Sequence, residues 1–448
     1  MNPFTPNYQS MHHWELFCSN LPLEFLQLTQ EGKDVEQYKE LFLAAAKLPN
    51  NEEKKKIADI LFELGMNAPV RGDYPYTEPS DLEGIFALRG KQLSLPAPDK
   101  TTLANQVAGA WLGRICGCLL GKPIEGMAVA DLHRLLKLSN NDPLHRYFLS
   151  TDVPDEVCEQ FSFPLKERCY ADTIPYAVAD DDTNYTAMAQ WMIERYGRDF
   201  TPAQVGETWL FCQPKDAYCT AERVAFKNLV NGFTPPETAI YQNPYREWIG
   251  AQIRGDYYGY INPGDPQTAA EMAWRDASIS HTKNGIYGEM LVAAMLATAA
   301  VTDDLKTIVQ GGLSQIPTTS RLYEMIAGLL GMIEQGRTAE ECFKWIYAHH
   351  PAENEQWVHT FPNALIVVTA LLFSEGDYSK AICLAVQAGY DTDCNGATVG
   401  SIMGMRGGLD CIGKEWTAPV NDTLETTILG VGNMSISQAA EKTMKHIL

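Results

Sequence analysis

Asp391-Thr392-Asp393-Cys394-Asn395-Gly396-Ala397-Thr398-Val399-Gly400-Ser401-Ile402-Met403-Gly404-Met405 runs from a knot of acidic residues straight into a helix of small ones. Gly and Ala at helical spacing let two helices approach closely, so this stretch reads as a helix packed among others. The same character recurs over residues 108–120, 288–300 and 364–373. Alternating strand-like runs are scarce and no βαβ rhythm appears. The chain is therefore expected to be all-α: a compact multi-helix domain over residues 101–448, preceded by a helical appendage over residues 1–100. Within the appendage, residues 34–46 predict an amphipathic helix. Asn51-Glu52-Glu53 predicts the start of another, with Ile57, Ile60, Leu61 and Leu64 on one face. This region is expected to pack on the main domain or lid it. Residues 128–178 read as a long polar insert between two apolar helices.

A second acidic knot, Asp180-Asp181-Asp182-Thr183, lies about two hundred residues upstream of the first. Each knot packs carboxylates with hydroxyl or amide oxygens and sits between apolar segments. An acidic run of this kind often only caps a helix N-terminus. Between apolar segments, however, adjacent carboxylates repel one another and need a partner, and few cations lie nearby in sequence. A divalent cation meets that need, and hard oxygen ligands suit Mg²⁺, Ca²⁺ or Mn²⁺. The two segments are thus expected to close one metal centre.

Composition narrows the function classes. The chain has 448 residues, 45% of them hydrophobic, which is enough for a sizeable core. A net charge of -21 repels nucleic acid and anionic membrane, and no apolar stretch is long enough to span a bilayer. Met1-Asn2-Pro3-Phe4-Thr5-Pro6 has no export-signal pattern, and the 11 cysteines show no paired metal-finger spacing. A reducing cytoplasm is the expected compartment. Cys116 and Cys118 read as core packing.

Three segments line up in order: Gly109-Ala110-Trp111-Leu112-Gly113-Arg114-Ile115-Cys116-Gly117-Cys118-Leu119-Leu120-Gly121-Lys122-Pro123-Ile124-Glu125-Gly126, then Asp180-Asp181-Asp182-Thr183, then Gly389-Tyr390-Asp391-Thr392-Asp393-Cys394-Asn395. The set resembles the ADP-ribosylglycohydrolase family, which includes the dinitrogenase reductase-activating glycohydrolases, over about residues 103–440. Ser280-His281-Thr282 with Gly285 looks like the family's middle segment. The resemblance implies an all-α fold, two Mg²⁺ or Mn²⁺ ions in a central cleft, and hydrolysis of a glycosidic bond at the anomeric carbon of a ribose. It implies that Asp181, Asp182, Asp391 and Asp393 hold metal, with Asp180 and Cys394 at two further ligand positions. It also sets Glu125 near the metals and the attacked carbon. Three positions depart from the family's pattern and mark a divergent branch: Asp180 and Cys394 each stand where Thr is usual, and Cys118 where Asp is usual. Asp180 adds a charge that favours a hard cation, whereas the thiol of Cys394 is a poor Mg²⁺ ligand.

Glu125 is the candidate general acid or base, with Asp182 beside it in the catalytic set; the bland alternative for Glu125 is a surface or N-cap residue after Pro123. Asn395, His281 and Arg254 are the candidate substrate contacts, Arg254 for a phosphate. An Arg254–Asp256 pair and a capping His281 are the competing readings. His359 reads as a helix cap, and Tyr257, Tyr258 and Tyr260 as core. The expected substrate is an ADP-ribosylated protein or a small-molecule ADP-ribose derivative. Hydrolysis of small N-ribosides, or ADP-ribose binding without catalysis, are the rivals.

Overall fold

Gly109, Gly113, Gly117 and Gly121 sit one turn apart on the helix Leu103–Gly121, and Gly396, Gly400 and Gly404 on the helix Thr392–Gly407. The two stripes face each other antiparallel. A methyl group added at Gly117 would overlap the Gly396 carbonyl, and one at Gly113 or Gly109 would overlap the carbonyl of Gly400 or Gly404. The backbones are in direct contact. Side chains also reach this seam, among them the Tyr378 hydroxyl, which donates to Gly113 O (2.9 Å), and the Thr392 hydroxyl, which donates to Gly121 O (2.8 Å).

The computed structural model describes residues 6–447; Met1–Thr5, part of the stretch read above as lacking an export signal, lie outside it. It is all-α, with a single two-stranded antiparallel sheet, β1 (Thr423–Leu424) and β2 (Met434–Ser435), among the described residues. The helices used below are α1 (Leu21–Gln30), α2 (Lys39–Ala46), α3 (Glu52–Asn67), α4 (Leu82–Leu88), α5 (Leu103–Gly121), α6 (Asp181–Tyr196), α7 (Asn284–Ala299), α8 (Thr360–Phe373) and α9 (Thr392–Gly407). All sixteen residues of α7 are buried, which makes it the axis around which the others pack. No helix among the described residues is long and apolar enough to cross a membrane.

Two expectations change. The stretch 128–178 is polar in composition, yet it buries Leu132, Leu135, Leu136, Tyr147, Phe148 and Leu165 in the main core. The Tyr147 hydroxyl donates to Cys116 O (3.1 Å) and Trp416 O (3.0 Å), pinning the segment to α5. On α3, capped by Asn51 as expected, the inward face is Lys54, Ala58, Leu61 and Gly65. Ile57 and Ile60 are 38% and 58% exposed. The stripe is rotated because Lys54 turns inward to donate to Ala46 O (3.0 Å) and Asn50 Oδ1 (3.0 Å).

Residues 8–68 gather a core cluster of their own, whereas Ile85 on α4 already belongs to the main core. Buried ion pairs join the two. Arg246 binds Glu24 (2.8 Å) and Glu31 (2.6 Å) of the α1 region, Lys283 binds Glu31 (3.3 Å), and Arg321 binds both Glu78 (2.8 Å) and Glu247 (2.7 Å). Gln27 of α1 donates to Glu247 (2.7 Å). Burial works against charge on Glu31 and Glu247. Arg246 and Lys283 outweigh it at Glu31, and Arg321 and Lys283 at Glu247, so both carboxyls are held below the ordinary value.

Two predictions follow from this packing. Gly117→Ala lowers the thermal midpoint, by an amount matching about 2 kcal/mol or more, because backbone lies on both sides of the added methyl. Gly328→Ala, where the added methyl meets open space on an exposed helix face, leaves stability equal or raises it by up to ~1 kcal/mol. Equal midpoints for the two variants would contradict the seam. Separately, the depressed Glu31 and Glu247 contribute stability that is present above the unfolded carboxylate value of about 4.3 and is lost as pH falls below it. Protection of the α1 amides from hydrogen exchange is expected to fall on acidification before that of the α7 amides does.

Candidate functional site

The seam between α5 and α9 delivers two of the three acidic segments. Beyond Gly121 the chain makes one 3-10 turn, Lys122–Ile124, and then presents Glu125. Gly126, at a φ of +74° that disfavours other residues, turns the chain so that its N–H donates to Tyr390 O (3.3 Å). That bond ties Glu125 to the loop ahead of Asp391, the residue that starts α9. The third segment is the N-terminus of α6, where Asp180 caps the helix by accepting from the Asp182 N–H (3.0 Å). Helix capping and the acidic site are therefore one arrangement here rather than competing readings.

Asp182 joins the segments. Its Oδ2 accepts from the Cys394 thiol (3.0 Å), and its Oδ1 meets Arg114 of α5 (3.1 Å). Arg114 is fully buried and also pairs with Asp256 (2.9 Å). Asp180, Asp181 and Asp182 offer ligand atoms within 4.8 Å of one another, as do Asp391, Asp393 and Cys394.

A cleft of about 340 Å³ opens over this centre. Six carboxylates line it: Glu125, Asp180, Asp181, Glu222, Asp391 and Asp393. Among the described lining residues Lys122 is the sole lysine or arginine, and its ammonium is bound to Asp180. The crowding shows in the electrostatics. Burial, then Asp391 and Asp180, push Glu125 up to about 7. Burial likewise raises Asp391 to about 6, and burial with neighbouring carboxylates holds Asp181 and Asp393 well above the ordinary value. Asp180 is the exception: Lys122 overcomes burial and lowers it.

The centre fits a hard divalent cation. Asp391 Oδ1 and Asp393 Oδ1 are buried without a hydrogen-bond partner, and the donors on offer are carboxylate oxygens. Cys394 lines the cleft, but burial and four nearby aspartates raise its thiol well above the usual value, which opposes the thiolate that a metal would need. Cys118, read as core packing, faces the same centre: burial, then Asp180, Asp182 and Asp393, keep it a thiol.

Several expected positions lie elsewhere. Asp182 is fully buried, has both oxygens engaged and does not line the cleft, so it holds α5, α6 and α9 together rather than reaching a substrate. Arg254 is buried in an ion cluster with Glu222 (2.9 Å), Asp276 and Glu289 (3.5 Å), leaving it no route to a phosphate. Its partner is not Asp256. His281 is buried, bonds Ser280 through Nδ1 (2.8 Å) and lines a separate cavity beside Trp274. Asn395 donates to Asn363 (2.8 Å) behind Asp391. Asp180 does add a charge, but Lys122 cancels it. His359 caps α8, and Tyr257, Tyr258 and Tyr260 are core. Sequence reasoning passed over Lys122, Arg114, Glu222 and Asn363. Lys122 was open to notice, because it stands three residues before Glu125 in the quoted segment.

The chain, all-helical but for one small sheet among the described residues, brings carboxylates from three distant segments to one cleft. A family profile described as ADP-ribosylglycohydrolase matches residues 99–445, and the chain belongs to that family, a family of glycohydrolases. Comparison with curated proteins gives no match. Among solved structures, the chain is similar to one described as an "ADP-ribosylglycohydrolase-related protein complex", at 15% identity and a TM-score of 0.49, over 78% of this chain and 100% of that one.

The Lys122 ammonium repels any cation entering the centre and ties up Asp180. Lys122→Met is expected to raise divalent-cation affinity by about tenfold or more, read by calorimetry with Mn²⁺. Unchanged or weaker binding would remove Lys122 from the electrostatics of the site.

Proposed function

We propose that the chain is a metal-dependent glycohydrolase that breaks the N- or O-glycosidic bond at C1″ of a ribose, with an ADP-ribosylated protein or an ADP-ribose derivative as substrate. One observation supports this most: carboxylates from the end of α5 and the starts of α6 and α9 meet at one cleft, with buried oxygens of Asp391 and Asp393 left unpartnered. Asp181, Asp391 and Asp393 would hold the Mg²⁺ or Mn²⁺. When bound, the ion polarises the sugar hydroxyls and acidifies a water.

The rest of the work falls to the chain's own groups. Glu125 lines the cleft, and its raised pKa keeps both protonation states accessible near neutrality, as a group needs to be that takes a proton from water or gives one to a leaving group. The Gly126–Tyr390 bond holds Glu125 in register with Asp391. Arg114 and Lys122 offset part of the acidic charge: Lys122 keeps Asp180 ionised, while Arg114 and the Cys394 thiol hold Asp182 in place as a strut although burial pushes its carboxyl up.

A second reading, hydrolysis of small N-ribosides, is favoured by the cleft's charge. It offers a pyrophosphate no free lysine or arginine among the described lining residues. ADP-ribosyl-arginine, ADP-ribosyl-serine and plain nucleosides assayed side by side separate the two readings. Tight ADP-ribose binding with turnover of none of them would make the protein a binder instead.

Glu125→Gln is expected to cut turnover by about a hundredfold or more while metal content, read by mass spectrometry, stays near wild type. Loss of metal along with activity would recast Glu125 as a ligand.

A further inference from the structure

The cleft has an aromatic wall that the carboxylate chemistry does not use. Trp14, Trp248 and Trp357 all line it. Trp14 comes from the N-terminal appendage, outside the residues matched by the family. We propose that the appendage is part of the substrate site: Trp14, with Trp248 and Trp357, takes a flat N-heterocyclic ring, and the substrate is a phosphate-free riboside of such a heterocycle. This rests on the ribose C1″ hydrolase reading above and, of its two substrate readings, takes the second, the small N-riboside.

Trp14 is a held residue rather than a loose end. Its ring is half-buried and packs with Leu23 and Val358 onto Val224, Tyr245 and Trp248. The Arg223 guanidinium lies 5.2 Å from the ring centroid. Next to it, Glu15 binds Lys215 and Arg223 (3.5 Å), and its carbonyl accepts from Lys227 (3.0 Å). Trp357 continues the wall to the reacting end. A methyl group added at Gly126 would come within 3.2 Å of its indole, so this ring lies against the residue that follows Glu125.

Size and charge select the ligand. About 340 Å³ is at the small end of the range for small-molecule sites. Six carboxylates repel phosphate, and the sole lysine among the described lining residues is already bound to Asp180. The nearby arginines are committed: Arg223 to Trp14 and Glu15, and Arg168 to the Phe163 face (4.7 Å). Tryptophan faces attract flat rings, and cationic ones most. In the reaction the C1–N bond breaks with its electron pair staying on nitrogen, and the oxygen of water forms the new C1–O bond. The water proton passes through Glu125 to the departing nitrogen of a neutral base, or to solvent when the ring leaves a cationic riboside as a neutral heterocycle.

Calorimetry on the full chain with Mg²⁺, in a Glu125→Gln background, tests this with adenosine, nicotinamide riboside, ADP-ribose and ribose as probes. Trp14→Ala is expected to weaken both ribosides by about tenfold or more, Trp14→Phe to recover most of the loss, and ribose to bind all three proteins equally. ADP-ribose is expected to bind more weakly than either riboside. Riboside affinity that ignores Trp14, a parallel loss of ribose binding, tighter ADP-ribose, or no riboside binding in the parent would each overturn the proposal. Trp14-dependent riboside binding with no hydrolysis by the wild-type protein would sink the hydrolase reading and leave the aromatic wall standing. Hydrolysis indifferent to Trp14 would do the reverse.

Discussion

Backbone contact between α5 and α9 is the constraint on which the rest of the molecule depends. Helices bearing ordinary side chains pack 8–10 Å apart. The facing glycines remove that spacer, so the carbonyl of one helix occupies the space a Cβ would need on the other. Because the helices run antiparallel, the C-terminal end of α5 and the N-terminal end of α9 arrive at the same place. Glu125 and Asp391–Asp393 are the residues immediately beyond and within those ends. Widening the seam by a methyl group would separate two acidic segments that line one cleft.

The charges of the centre are balanced internally before any ligand arrives. Arg114 answers Asp182 and Asp256 below the site, and Lys122 answers Asp180 at its edge. Burial pushes Asp181, Asp391 and Asp393 upward, and Asp182 as well despite Arg114, whereas Lys122 brings Asp180 down. The pairing by Arg114 and Lys122 marks Asp182 and Asp180 as struts and leaves Asp181, Asp391 and Asp393 without a salt-bridge partner among the described residues. It also accounts for the departure at Asp180: an extra negative charge at that position is tolerable because a lysine four residues after Cys118 reaches it.

Much of this was legible in the chain itself. The small-residue helices, the absence of strand rhythm and the two acidic knots gave the fold class and the segments that meet. The pairing of the glycine stripes was not legible, since a stripe announces close packing without naming its partner. Arg114 and Lys122 are distant in sequence from the acidic knots, and only the fold brings the cations to Asp182 and Asp180. Arg254 and His281 misled for the opposite reason. Arg254 was read as a phosphate contact and His281 by its place in the family's middle segment, while Glu222, Asp276 and Ser280 draw both side chains into the interior. The segment 128–178 hid its apolar contribution because Leu132, Leu135, Leu136 and Tyr147 are spread among polar residues.

The buried pairs between Arg246 and Glu24 and Glu31, and between Arg321 and Glu78, bear on what counts as an autonomous folding unit. The family boundary falls at residue 99, and a chain cut there would retain Arg246, Arg321 and Lys283 while losing the carboxylates of Glu24, Glu31 and Glu78. Stranding one half of a buried ion pair costs roughly 3–5 kcal/mol, a large share of the stability of an ordinary domain. The unit recognised by kinship and the unit closed by its own buried charge pairs therefore differ: residues 99–445 share those pairs with a segment that the family profile leaves out.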